Sequence, residues 1–239
     1  VQAAVGRYAE ADALYAEVDR LAAAGAEPDL EIRLRALIGR GDAASSQERF
    51  DDAQRFFDEA LAVAKMKGAP ADASARALEG IAMLKVYAGD PAVALDWYER
   101  ALEERIQVSG ETHPNVSQIL GNMGATAYLQ GDSPRAESYM QRSIELDRRV
   151  LGPRHPDVGI GKNNLGRLRL ERRRFAEART LLDEAIAILD EAHDPTHPEL
   201  TFPLSNLGLA YAGLGDDVRA EPLFQRSLRA AVANGQSGL

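Results

Sequence analysis

Apolar positions recur along this chain with two periods at once, a short one of three to four residues and a long one of 42. A small residue returns at Ala11, Ala53, Ala94, Ala136, Ala178 and Ala220, every 42 residues with one interval of 41. Three residues after each stands Leu14, Phe56, Trp97, Tyr139, Leu181 or Leu223, and four after stands Tyr15, Phe57, Tyr98, Met140, Leu182 or Phe224. Eight after come Leu61, Leu102, Ile144, Ile186 and Leu228, with Asp19 breaking the column in the first unit. Offsets of 0, 3, 4 and 8 lie on one stripe of an α-helix, so each segment is predicted to be an amphipathic helix, helix B. Twelve residues before the alanine stands another small residue, Gly41, Ala82, Gly124, Gly166 or Gly208. It marks a second helix, helix A, whose small side chain lets the two helices of a hairpin approach closely.

The turn between A and B is also legible. Gly6, Gly89, Gly131 and Gly215 fall five residues before the alanine, where glycine adopts the left-handed conformation that ends a helix. Asp90, Asp132 and Asp216 follow as expected N-caps of helix B. Glu48 and Arg173 stand where the other units have glycine, so those turns are expected to be differently built or strained. The dipeptides His113-Pro114, His155-Pro156 and His197-Pro198, 42 residues apart, mark starts of helix A, because proline is tolerated in the first turn where its missing N–H is not needed. The layout is therefore a lone helix B near residues 7–24, followed by five helix pairs opening near Pro28, Pro70, His113, His155 and His197. A single hairpin cannot bury its stripe; stacked hairpins can.

The small–large–small order of the two helices resembles the tetratricopeptide repeat. The 42-residue period, the His-Pro starts, Asn163-Asn164-Leu165-Gly166 and Ser205-Asn206-Leu207-Gly208 resemble its longer, kinesin-light-chain-like subclass. The expected fold is all-α, a right-handed superhelical solenoid of antiparallel hairpins. It would form one array over residues 1–239, with a partial repeat at 1–28 and full repeats at 29–70, 71–112, 113–154, 155–196 and 197–239. The resemblance implies a concave face lined by the A helices, where a peptide or partner protein lies.

Composition narrows the partners. With 28 Lys and Arg against 37 Asp and Glu, the net charge is −9 and the isoelectric point about 5.1. An acidic surface repels phosphate backbones, so nucleic acid is not expected. There is no cysteine, which removes thiolate metal sites, disulfides and cysteine catalysis and suits a cytoplasmic setting. No apolar run is long enough to cross a membrane, and no signal peptide is visible.

On helix A, the residues facing away from helix B are expected to line the groove. Two residues before the small position stand Gly80, Asn122, Asn164 and Asn206. An asparagine amide offers donor and acceptor together, so it can pair with an extended peptide backbone, and the resemblance implies that use. The competing reading is that each amide bonds neighbouring helices and sets repeat packing. Arg76, Gln118 and Phe202 (six before), Tyr87 and Tyr128 (four or five after) and Arg167 (one after) complete the candidate surface. With Arg35, Arg76 and Arg167 set against Asp42, Glu79 and Glu171, this face is near neutral and suits an extended peptide with apolar anchors. Arg167, Arg169, Arg172, Arg173 and Arg174 form a local basic cluster. It reads either as a dock for an acidic partner or, better, as a solvated helix end. Gly159, Gly161 and Lys162 make the same helix A depart from the repeat grammar, as a locally weak or specialised element.

Catalytic chemistry is not expected. Equivalent histidines of successive hairpins are separated by at least the helix spacing of about 8–10 Å, too far to share a metal. His193, Asp194 and His197 are denser but lack a further ligand, and no metal or cofactor is expected. Gly39-x-Gly41-x-x-Ala44 follows no strand and fails as a dinucleotide fingerprint. The chain opens inside a hairpin, and neither end carries a convincing cap, the tail Asn234–Leu239 included. It is therefore read as a piece of a longer protein, in a style resembling bacterial signalling proteins. The reading favoured is a protein-interaction scaffold, with a sensor array controlling an attached kinase or NTPase domain, or a structural and self-assembly spacer, as alternatives.

Overall fold

The periodic stripe predicts helices, and the computed structural model describes residues 2–24 and 28–233 as helices joined by short turns. These are α1 (Gln2–Ala23), α2 (Leu30–Ser46), α3 (Phe50–Ala64), α4 (Ala73–Tyr87), α5 (Pro91–Ser109), α6 (Pro114–Leu129), α7 (Ser133–Val150), α8 (Pro156–Glu171), α9 (Phe175–Ala192), α10 (Thr201–Gly213) and α11 (Asp217–Ala233). One 3-10 turn, Pro198–Leu200, precedes α10. Among the described residues there is no strand. The even-numbered helices are the predicted A helices and the odd-numbered ones the B helices. The chain divides into two units, Val1–Ile119 and Leu120–Leu239. In the first, α1 to α5 pack in consecutive antiparallel pairs; in the second, α7 to α11 do the same. Gly6 departs from expectation, since it lies inside α1 and makes no turn there. The tail 234–239 lies outside the described residues.

The alanine column is the hinge line of the packing. Ala53, Ala94, Ala136 and Ala178 have no exposed surface, and Ala220 almost none. In the first unit the ring of Phe57 is clamped between two A helices. A Cβ placed on Gly41 would come within 2.6 Å of it, and one on Gly80 closer still. Leu34, Leu37, Phe56, Ile81 and Leu84 complete that core, with Trp97 packed against it. The second unit repeats the contact with different partners: Gly124 faces Met140, Gly166 faces Leu182 and Gly208 faces Phe224, at 2.6 to 2.8 Å for the added carbon. Burying one leucine such as Leu182 contributes about 1.5–3 kcal/mol, and only a small residue opposite lets it seat.

The glycines of α8 have the same origin. A Cβ on Gly159 would meet Leu189 at 3.0 Å, and one on Gly161 would meet Ile144 at 2.7 Å. α8 is thus squeezed between α7 and α9. Lys162, which interrupts the apolar pattern, reaches Glu184 on α9 as an ion pair.

The turns follow one plan whatever the residue. Gly89, Gly131 and Gly215 have φ near +80°. At the Gly131 turn, Gly131 N–H donates to Tyr128 O and Asp132 N–H to Ala127 O, both at 2.9 Å. Arg173 (φ 56°) and Glu48 (φ 58°) adopt the same left-handed conformation, with Arg174 N–H donating to Arg169 O and Arg49 N–H to Ala44 O, each at 2.9 Å. These turns are strained rather than rebuilt. The Asp132 and Asp216 carboxylates accept the expected capping bonds from Arg135 and Arg219 N–H, each at 3.1 Å. Asp90 stands at the N-cap of α5 but its side chain makes no capping bond.

The His-Pro pairs gain a second role. The Nδ1 atoms of His113, His155 and His197 accept backbone N–H bonds from Asn115, Asp157 and Glu199, at 3.2, 3.3 and 3.4 Å. The histidine is therefore the cap of helix A, and the proline only permits the first turn.

Ion pairs tie successive helices. Asp12 on α1 accepts from Arg40 at 2.8 Å and Arg49 at 3.3 Å, and Asp19 accepts from Arg33 at 3.0 Å. Arg105 on α5 is 2% exposed and donates to Asp72 and Glu79, both at 3.0 Å. Burial pushes the Glu79 carboxyl above its ordinary value, and the Arg105 guanidinium pulls it partly back.

Two predictions follow from strain and from burial. Replacing Arg173 by glycine removes a left-handed penalty of about 1–2 kcal/mol and adds about 0.5–1 kcal/mol of unfolded-state entropy. The Arg173→Gly chain should accordingly melt at a slightly higher temperature by circular dichroism. Arg105→Ala strands Glu79 beside the core and should cost roughly 3–5 kcal/mol. The double variant Arg105→Met, Glu79→Leu should recover most of that in urea denaturation.

Candidate functional site: the outward face of the A helices

In the second unit, α8 carries Asn164, Arg167 and Glu171 at steps of three and four residues, hence on one stripe. Tyr128, from the end of α6, lies against it. The Arg167 guanidinium sits over the Tyr128 ring, 4.5 Å from its centroid, and the Tyr128 hydroxyl donates to the Glu171 carboxylate. That bond, with partial burial, raises the phenol above its ordinary pKa. Tyr128 and Arg167, both anticipated as partner-facing residues, are thus engaged with each other, and they clasp α6 to α8.

The asparagines divide. Asn206 on α10 donates its amide to the Oδ1 of Asn163 on α8 at 2.9 Å. Asn163 in turn donates to the Oδ1 of Asn164 at 3.4 Å. Asn163 is only 8% exposed and was not singled out from sequence, although the Asn163-Asn164 doublet was its signal. One amide relay therefore joins α10 to α8, while the Asn164 amide donors and the Asn206 carbonyl stay uncommitted. The Asn122 side chain has no partner among the described residues and is half-buried. Beside them on α10, Phe202 is 58% and Leu209 51% exposed. With Asn206 they stand on one stripe, at steps of four and three residues.

The first unit differs. Arg76 donates to both oxygens of Glu31 at 3.2 Å, and Arg35 pairs with the same carboxylate. Glu79 is held by Arg105, as above. Tyr87 is 56% exposed, and the exposed Gln118 side chain has no partner among the described residues. The position occupied by asparagine in the second unit is here Gly39 and Gly80. Tyr15 comes to within 2.6 Å of a Cβ on Gly39, as Phe57 does on Gly80. An aromatic ring from the preceding B helix has taken the amide's place.

The arginine cluster disperses into internal bonds. Arg169 is 6% exposed and binds Glu137 on α7 through two nitrogens, one at 2.6 Å. Arg172 lies 3.8 Å from Glu137, and Arg174 binds Glu177 at 2.6 Å. Arg173 is spent on its turn.

Antiparallel hairpins stacked on a recurring small-to-large contact, with a polar and apolar face on one set of helices, define a helical-repeat array. The chain belongs to the tetratricopeptide-repeat family: the family profile matches residues 73–149, 131–191 and 157–231. The fold is that of the structure of BtubC (BKLC) from P. vanneervenii, at 24% identity and a TM-score of 0.82, covering 98% of this chain and 94% of that one. A putative kinesin light chain with TPR-like repeats from Podospora anserina gives 18% identity and a TM-score of 0.67, covering 86% and 98%. Aspartyl phosphate phosphatase F from Bacillus subtilis gives 15% and 0.74, covering 87% of this chain and 53% of that one. No curated protein sequence matches the chain. The fold is typical of protein-interaction scaffolds and generally non-enzymatic. Among the described residues no helix is long and apolar enough to cross a membrane.

The Arg169–Glu137 pair sets a pH dependence. The Arg169 hydrogen bond holds the Glu137 carboxyl below its ordinary value of 4.5. A lowered folded-state pKa contributes stability that is fully present above the ordinary value and is lost as pH falls through the lowered one. The melting temperature should fall below about pH 4.5. Glu137→Gln should melt lower at neutral pH and show a shallower acid decline.

Proposed function

We propose that this chain is a non-enzymatic scaffold of the cytoplasm that holds an extended peptide, or an extended segment of a partner protein, against the outward faces of its A helices. The observation that carries this reading is the register on α8 and α10. Uncommitted amide groups of Asn164 and Asn206 stand beside exposed Phe202 and Leu209, with Asn122 presenting a free amide on α6. Amides at regular spacing suit peptide main chain, and exposed apolar side chains suit its anchors. Taken by itself, the first unit exposes Tyr87 and Gln118 on its A helices, with Arg76 as a neutralised neighbour. The charges on these faces are largely paired internally, so the ligand is uncharged or of mixed sign in its contact region. Neither nucleic acid nor membrane belongs in this reading. A sensor array would use the same surface and differ only in what it controls.

Peptides selected against the full chain from a random display library provide the test. Asn122→Ala should weaken their binding about fivefold, the worth of about one hydrogen bond of 1 kcal/mol, with helicity and melting unchanged. Asn164→Ala and Asn206→Ala should weaken binding and also lower the melting temperature, Asn206→Ala the more, because each breaks a bond of the relay through Asn163. Selected peptides that bind all three variants as well as the parent would move the site elsewhere.

A further inference from the structure

The loop between α9 and α10 assembles a group of side chains that the repeat does not require. His193 closes α9 in an extended conformation, φ −135° and ψ 160°, and a tight turn follows in which His197 N–H donates to Asp194 O at 2.9 Å. The turn folds the two imidazoles onto each other, centroids 3.8 Å apart and planes within 5°. Glu199, in the next turn, brings its carboxylate to 2.8 Å from His193 Nε2. One ligand atom from each of His193, His197 and Glu199 lies within 4.8 Å of the others.

We infer that His193, His197 and Glu199 bind a borderline divalent transition-metal ion of the Zn²⁺ type. Two imidazoles and one carboxylate are the donor set such ions favour, whereas Mg²⁺ and Ca²⁺ prefer oxygen. Ligand bonds of about 2.0–2.2 Å place tetrahedral donor atoms roughly 3.3 Å apart. The His193–Glu199 separation of 2.8 Å opens by about 0.5 Å to reach that spacing, and no donor pair, all within 4.8 Å, needs to close by more than about 1.5 Å. All three side chains are at least partly accessible, so this is a rotamer adjustment. Three protein ligands leave one position for water or an incoming donor.

The sequence predicts no metal, because equivalent histidines of different repeats are too far apart and this loop shows no third ligand. Each His-Pro histidine does cap its own helix, but Glu199 supplies the third ligand in this loop. Among the three His-Pro sites the spacing His-x3-His-x-Glu is unique: Ser109 and Leu151 stand where this one has His193, and Asn115 and Asp157 where it has Glu199. His197 also caps its turn through a bond of 3.4 Å, the longest of the three. Metal capture ties the end of α9 to the approach of α10. Because the ion binds the folded loop, it adds stability that grows with the logarithm of free ion concentration above its dissociation constant.

The test uses the full chain with any affinity tag removed, stripped by chelator dialysis and titrated with ZnCl₂ by calorimetry and by competition with a chromophoric chelator. One ion should bind per chain with micromolar affinity and raise the melting temperature. His193→Ala and Glu199→Gln should each weaken binding by at least about tenfold, while His155→Ala leaves it unchanged. MgCl₂ should give no saturable signal. The inference is overturned if no one-to-one binding appears below about 100 µM, or if His193→Ala and Glu199→Gln bind Zn²⁺ like the parent.

Discussion

The whole arrangement depends on one steric constraint, the absence or near-absence of a side chain on helix A where a large side chain of helix B arrives. At Gly41, Gly124, Gly166 and Gly208 a single added carbon would overlap Phe57, Met140, Leu182 or Phe224. The contact sets how near the two helices come, and so which face of helix A is consumed by the hairpin and which is left outward. It also explains why alanine fills the neighbouring B-helix column: a second close approach along the same line leaves room for a methyl and no more. Helix propensity alone would favour alanine over glycine by about 1 kcal/mol. That glycine stands at four of these five A-helix positions shows which term wins.

This constraint was legible from sequence because it is local in register and repeats. The caps and turns were partly legible for the same reason. Residues such as Arg173 and Glu48 keep the glycine geometry because the flanking backbone bonds of the turn hold it whatever the side chain. Gly6 shows the converse, a glycine in the right column that lies inside α1 and makes no turn. What stayed hidden was the pairing of charges. Nothing in the pattern distinguishes Arg169 from its neighbours in the 167–174 cluster, yet it alone is buried, because its partner Glu137 lies 32 residues away on α7. Arg76 and Glu79, counted together as groove charges from sequence, are held by Glu31 and Arg105, partners 45 and 26 residues distant.

The candidate surface is therefore what packing leaves over, and the two units leave different remainders. In the first, Tyr15 and Phe57 project far enough from their B helices to cover Gly39 and Gly80, and an amide has no room there. In the second, the corresponding residues of α7 and α9 are Met140 and Leu182, and Asn164 and Asn206 stand in the outward column, where an asparagine can reach a neighbour as well as a ligand. The relay Asn206 to Asn163 to Asn164 places the amides with respect to one another before any partner arrives. A structural role for the asparagines does not then compete with the binding role proposed for them. An amide whose one end is committed to the adjacent helix has fewer rotamers to lose when its other end meets a peptide, and this saving in entropy is what a repeated, half-engaged amide contributes that a freely exposed one does not.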